Sequence, residues 1–177
     1  MSTPPGLGPG TARGYRGSSI IRPVASPLDD WKFLVGTWSG ASKDQFGEKG
    51  VVETTATYAL EPGDRFLTAR GEAVCEGRLL NRSLSVMFYD SGLGRFRRKT
   101  FFSYGFVNNE LEFERTDREI RFDVTVEPAV KQFEGIRWRS NLRRVSDREI
   151  ATGLAEAKTG QPFSSYGEVM LARVESP

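Results

Sequence analysis

From Thr37 to the end of the chain, apolar and polar residues alternate with a period of two in runs of about six to ten residues, bounded by turn-forming residues. Successive strand residues point to opposite faces, so each run reads as a strand with one face in a core and the other in water. The expected strands are 37–43, 51–60, 65–75, 78–90, 95–105, 109–116, 119–127, 132–145, 148–157 and 165–174. Between them, Glu61-Pro62-Gly63-Asp64 suits a type II turn, Asp90-Ser91-Gly92 and Asn108-Asn109 tolerate positive φ, and Thr159-Gly160-Gln161-Pro162 breaks pairing. Strands joined by such short connections predict an all-β, antiparallel up-and-down sheet. A sheet of about ten strands hides its edges by closing into a barrel, and that barrel is wider than its own side chains fill. A ligand cavity is therefore expected.

Ahead of the strands, residues 1–27 form a Gly/Pro/Ser-rich segment with three arginines, expected to be a flexible tail. In Gly6-Leu7-Gly8-Pro9-Gly10 the glycines lack the strand-to-helix context of a nucleotide loop, which makes the stretch a linker. One short helix follows: Ser26 can cap it, Pro27 suits its first position, Asp29 and Asp30 favour its positive end, and Gly36 ends it. The barrel domain is expected over 28–175, within the 177 residues of the chain.

Composition narrows the chemistry. The chain has no histidine and one cysteine, Cys75, so Ser/His/Asp and Cys/His catalysis, histidine-rich or multi-cysteine zinc sites and an intrachain disulfide are excluded together. No metal or cofactor is expected. The net charge of +2 is far from that of a dedicated nucleic-acid binder. The cluster Arg95-Phe96-Arg97-Arg98-Lys99 is expected to face Glu110, Glu112 and Glu114 across neighbouring strands rather than a phosphate backbone. No stretch approaches the ~20 apolar residues of a membrane helix. The first residues lack the apolar core of a secretory leader, so a cytoplasmic protein with no membrane partner is expected.

The segment Phe33-Leu34-Val35-Gly36-Thr37-Trp38-Ser39-Gly40-Ala41-Ser42 carries a Gly-x-Trp pattern after a short closing helix. It resembles the calycin barrels, namely lipocalins, fatty-acid-binding proteins and nitrobindins. With Arg65-Phe66-Leu67, Arg82-Ser83-Leu84, Phe88-Tyr89-Asp90 and Gly94-Arg95, the chain over roughly 28–175 is similar to uncharacterised bacterial lipocalin-like domains related to the nitrobindin barrel. The resemblance implies that Trp38 closes one barrel end beneath an arginine of the last strand, for which Arg173 is placed. Nitrobindins hold haem through a histidine, which is absent here, and Ser42 stands where the pattern Gly-x-Trp-x-Gly-x-Gly ends in glycine. The resemblance thus implies a cavity without histidine-ligated haem.

Alternation nominates the residues that line it. In 95–104 the set Phe96, Arg98, Thr100, Phe102 and Tyr104 should face inward; on the next strands Leu111, Phe113 and Arg115, then Ile120, Phe122, Val124 and Val126, oppose charged sets. Arg98 and Arg115 emerge as inward cations that either snorkel to water or need a buried partner. Glu72, on the set Phe66, Thr68, Arg70 and Glu72, and Glu156 and Glu168 are the partners considered, as a structural ion pair or as the polar end of a pocket. Tyr58, Tyr104 and Trp138 add hydrogen-bonding tips on apolar bodies. The candidate ligand-binding set is Tyr58, Arg70, Glu72, Arg98, Tyr104, Arg115 and Trp138. The expected function is binding of a small hydrophobic or amphipathic molecule, by a monomer or a homodimer. The alternative is a histidine-free cyclase, isomerase or lyase working in the same cavity.

Overall fold

The computed structural model describes residues 26–61, 63–129 and 131–175. All but two residues of the expected tail lie outside this range. A short 3-10 helix, Asp29–Leu34, leads into ten strands: β1 Gly36–Lys43, β2 Val51–Leu60, β3 Phe66–Cys75, β4 Arg78–Asp90, β5 Arg95–Phe102, β6 Val107–Arg115, β7 Glu119–Glu127, β8 Ile136–Arg144, β9 Glu149–Lys158 and β10 Ser164–Arg173. Each strand pairs antiparallel with its sequence neighbour, and β1 pairs with β10, so the sheet is a closed up-and-down barrel. Among the described residues no helix is long and apolar enough to cross a membrane.

Three local features differ from expectation, each for a physical reason. Asn108 and Asn109 do not turn. They lie within β6, and the chain reverses at Ser103–Phe106, where Gly105 takes φ +95° and donates its N–H to the Phe102 carbonyl at 3.0 Å. The expected strand over 132–145 begins only at Ile136, because Lys131–Phe133 forms a further 3-10 turn. The N-terminal helix starts after Leu28 instead of at Pro27: the Ser26 carbonyl accepts the Asp29 N–H at 2.8 Å while the Ser26 N–H is taken by the Asp29 carboxylate at 2.9 Å.

That helix plugs one end of the barrel. Its buried face, Trp31 and Leu34, packs on Trp38, Phe96, Ile120, Leu142, Ile150 and Leu171, all essentially inaccessible to solvent except for traces at Trp31. The Trp38 indole N–H donates to the Leu34 carbonyl at 2.6 Å. On its other side the Arg173 guanidinium covers the ring at 4.5 Å and donates to the carbonyls of Val35, at 2.9 Å, and Phe33. Gly40 completes the closure. A Cβ there would stand 2.0 Å from the Met170 carbonyl oxygen, so the backbones of β1 and β10 meet only because the side chain is missing.

Replacing Trp38 with Ala removes the largest buried side chain of this end and is expected to lower stability by about 3–5 kcal/mol. Arg173→Met, which keeps the aliphatic stem but loses the ring contact and both carbonyl bonds, is expected to lower it by about 1–3 kcal/mol. Urea unfolding followed by tryptophan fluorescence measures both, and a loss below about 1 kcal/mol for Trp38→Ala would show that this end is not the anchor of the closure.

Candidate functional site

Above the plug, the inner rows become polar. Arg98 of β5 pairs in register with Glu110 of β6, and both side chains point into the barrel. The Glu110 carboxylate accepts four hydrogen bonds: Arg98 Nε at 2.8 Å, Arg98 Nη2 at 2.5 Å, Ser140 Oγ of β8 at 2.6 Å and Thr100 Oγ1 of β5 at 3.1 Å. Since the Thr100 proton goes to Glu110, Ser85 Oγ of β4, 2.9 Å away, is the donor to Thr100. Arg98 also donates to Ser140 at 3.0 Å and lies over the Phe122 ring at 4.7 Å. The carboxylate is 3% exposed and the guanidinium side chain 13%, so the pair sits at the base of an interior that water reaches from one side.

Tyr58 of β2 faces the same level. Its hydroxyl makes no hydrogen bond among the described residues, and together with Ser85, Met87 and Arg98 it borders a void of about 20 Å³, room for one water or one polar atom. Burial pushes the Tyr58 phenol above its ordinary range, an effect that nearby Arg98 opposes and Glu110 reinforces. Burial disfavours the Arg98 cation, but the adjacent Glu110 outweighs this and raises its pKa further.

The opposite end is ringed by aromatics. Phe46, Tyr166, Trp138, Phe133, Phe106, Tyr104 and Phe102 form an unbroken series of ring contacts with centroids 5.2 to 6.4 Å apart. Trp138 stands two residues above Ser140 on β8, and at roughly 3.3 Å per residue the rings lie about 7 Å above the polar base. The Trp138 indole N–H is buried without an acceptor among the described residues. Beside it, the β7–β8 ladder ends at Val124 and Trp138, although β7 continues to Glu127. A cavity of about 740 Å³ fills the gap and takes in residues of both faces, Asp123 and Arg139 from outside, Val126 and Trp138 from inside. Phe163, which also lines it, is stacked by Arg137 and Arg139 at 4.9 and 4.2 Å. Inner positions nearer the mouth, including Thr54, Ala73, Asn81, Asn108 and Glu156, remain partly exposed.

Of the residues nominated by sequence, Tyr58 and Arg98 border one void inside the barrel, Trp138 lines the separate cavity nearer the mouth, and Tyr104 is half-exposed on the rim. Arg70 and Glu72 do not join them. Both lie on the outer face of β3, where Glu72 pairs with Arg82 at 2.7 Å, because the inner set of this strand is Leu67, Ala69, Gly71, Ala73 and Cys75. Arg115 faces inward only at the plugged end, over the Phe96 ring at 5.0 Å and 3.5 Å from Glu112. The expected facing of β6 is also corrected. Glu110 and Glu112 are buried and Leu111 and Phe113 turn outward, until a bulge between Glu112 and Glu114 returns Arg115 to the inner row. Glu112 accepts the Phe96 N–H at 2.6 Å, and only Glu114 takes the external role, pairing with Arg121 at 2.8 Å. Sequence reasoning missed Glu110, Ser140, Ser85 and Phe46. Among the described residues no group of three or more His, Cys, Asp or Glu side chains is placed to hold a metal ion.

No family model and no curated protein matches the chain. Among solved structures it is similar to the crystal structure of Rv2717c from M. tuberculosis, with 18% identity over 84% of this chain and 97% of that chain and a TM-score of 0.62. At that identity the likeness speaks for the barrel fold.

Two outcomes follow from the polar base. Glu110→Gln leaves the Arg98 charge buried without a counter-charge and is expected to lower stability by about 3–5 kcal/mol, whereas the double variant Arg98→Met/Glu110→Leu should lose less than the single one. Equal or greater loss in the double variant, read by urea unfolding, contradicts this. The Tyr58 phenol, whose folded pKa lies above its unfolded value of about 10, contributes stability that is complete below that pH and is lost as pH rises through the folded value. Tyr58→Phe should therefore unfold less readily than the parent on the alkaline side and lack one late-titrating phenol in an ultraviolet absorbance titration.

Proposed function

We propose that the protein binds a small hydrophobic or amphipathic molecule inside the barrel, its body among the mouth aromatics and its polar end on the base formed by Tyr58 and Arg98. The observation that carries this reading is a buried ion pair whose carboxylate accepts four hydrogen bonds, with an unpartnered phenol beside it, placed beneath aromatic rings in a barrel open to water. A buried ion pair contributes little net stability compared with packed apolar side chains, so its presence at this depth calls for a role other than holding the fold. The opening between β7 and β8 supports a route by which a molecule reaches Trp138 and the space behind it.

Holding is favoured over turnover by the same hydrogen bonds. Glu110 Oε2 accepts three hydrogen bonds and Oε1 one, and the carboxylate does not border the void, whereas a base needs a lone pair within reach of substrate. A barrel that only holds its ligand needs buried apolar area and a few convergent polar groups, which the interior supplies.

Nile red, an uncharged apolar dye, tests this reading. Saturable one-site fluorescence gain is expected with the parent protein, and Thr54→Trp, which fills a half-exposed inner position of β2, should abolish it without unfolding the barrel. Absence of saturable binding by the parent, or unchanged binding by the folded Thr54→Trp variant, removes the barrel interior as the site.

A further inference from the structure

We infer that the ligand of this interior is an uncharged molecule carrying a hydrogen-bond acceptor, with a carbonyl or carboxamide tip seated between Arg98, Tyr58 and Ser85. This rests on the binding reading above and deepens it.

Charge and free hydrogen-bonding valences together decide the tip. An interior arginine facing a cavity ordinarily selects an acid, because the guanidinium needs an anion. Here that anion is Glu110, built into the next strand and bound through two nitrogens of Arg98. The base is therefore neutral as a unit. A ligand carboxylate would bring a second negative charge beside Glu110, which is 3% exposed and therefore weakly screened by solvent. A ligand ammonium would face the guanidinium, which lies on the more accessible side of the pair. Either charged tip is desolvated without a counter-charge, whereas an uncharged tip is not.

The free valences give the polarity of the tip. Arg98 Nη1 makes no hydrogen bond among the described residues, and neither does the Tyr58 hydroxyl. Both are donors: guanidinium nitrogen has no other capacity, and burial keeps the phenol protonated. Ser85 has committed its proton to Thr100 and presents only lone pairs to the void. The void of about 20 Å³ among these groups takes one or two polar atoms rather than a ring. A carbonyl oxygen answers Arg98 and Tyr58, and an amide N–H beside it answers Ser85. Some 7 Å above, at roughly 3.3 Å per residue, Trp138, Tyr166 and Phe133 offer ring edges and faces to an aromatic or alicyclic body.

The test is a matched series with one body and four tips: naphthamide, acetylnaphthalene, naphthoate and naphthylmethylammonium, titrated at neutral pH by isothermal calorimetry into the whole chain. Naphthamide and acetylnaphthalene should bind at least tenfold tighter than either ion. Tyr58→Phe should weaken both neutral probes about three- to tenfold, and Ser85→Ala should weaken naphthamide more than acetylnaphthalene. Naphthoate or the ammonium binding as tightly as naphthamide overturns the inference while leaving the interior as a binding site. Neutral probes that bind equally well to Tyr58→Phe overturn the seat assigned to the tip. If none of the four binds although Nile red does, the neutral-tip inference fails alone. If Nile red fails as well, the binding reading falls with it.

Discussion

Closure of the sheet is the constraint from which the other features descend. Ten strands bonded in a closed ring leave no edge strand, but they enclose a volume that must be filled or left to solvent. This chain does each at a different end. At the β1–β10 seam, Gly40 lets the backbones meet, Trp38 fills the width, and Arg173 ties the last strand to the carbonyls of Phe33 and Val35. The plug then fixes which end remains available, so the arrangement of the mouth follows from the first and last strands touching.

The polar layer above the plug sets desolvation against attraction. Taking Arg98 and Glu110 out of water carries a desolvation penalty that their attraction offsets only through good geometry and saturated hydrogen bonds. The carboxylate side of the pair shows this: Ser140 and Thr100 add two donors to the two from Arg98, and Ser85 orders Thr100 in turn. The Phe122 face under Arg98 adds a contact that tolerates a cation in apolar surroundings. The layer is thus stable enough to keep, while Tyr58 and part of Arg98 still face the void.

How much of this was legible in the sequence depended on parity and on one turn. Period-two alternation located all ten strands, and the Gly-x-Trp segment pointed to the plugged end, because both signals are local. The partner of Arg98 was not local knowledge. Arg98 and Glu110 lie six residues on either side of Tyr104, so placing the β5–β6 reversal at Gly105 brings them opposite each other. Placing it at Asn108-Asn109, which have the stronger turn propensity, shifts the register and sends Glu110 outward. The same strand carries a bulge that reverses parity between Glu112 and Glu114, and nothing in Glu-Phe-Glu-Arg announces it. Arg70 and Glu72 failed for a related reason: on β3 the inner set is Leu67, Ala69, Gly71, Ala73 and Cys75, and after Leu67 these are small residues that look less like a core than Phe66 does.

The missing histidine acquires a more specific meaning once the interior is known. In many pockets a histidine makes the charge of the site a function of pH near neutrality. In this one the cation is an arginine held protonated by its neighbour, and the phenol is held neutral by burial. No group bordering the void has an ordinary titration between about pH 5 and 8. The charge state that a ligand meets is therefore a fixed property of the fold, set by a cross-strand pair and its hydroxyl neighbours. In the proposed site, discrimination rests on the placement of donors and lone pairs, because the charges of Arg98 and Glu110 cancel within the layer.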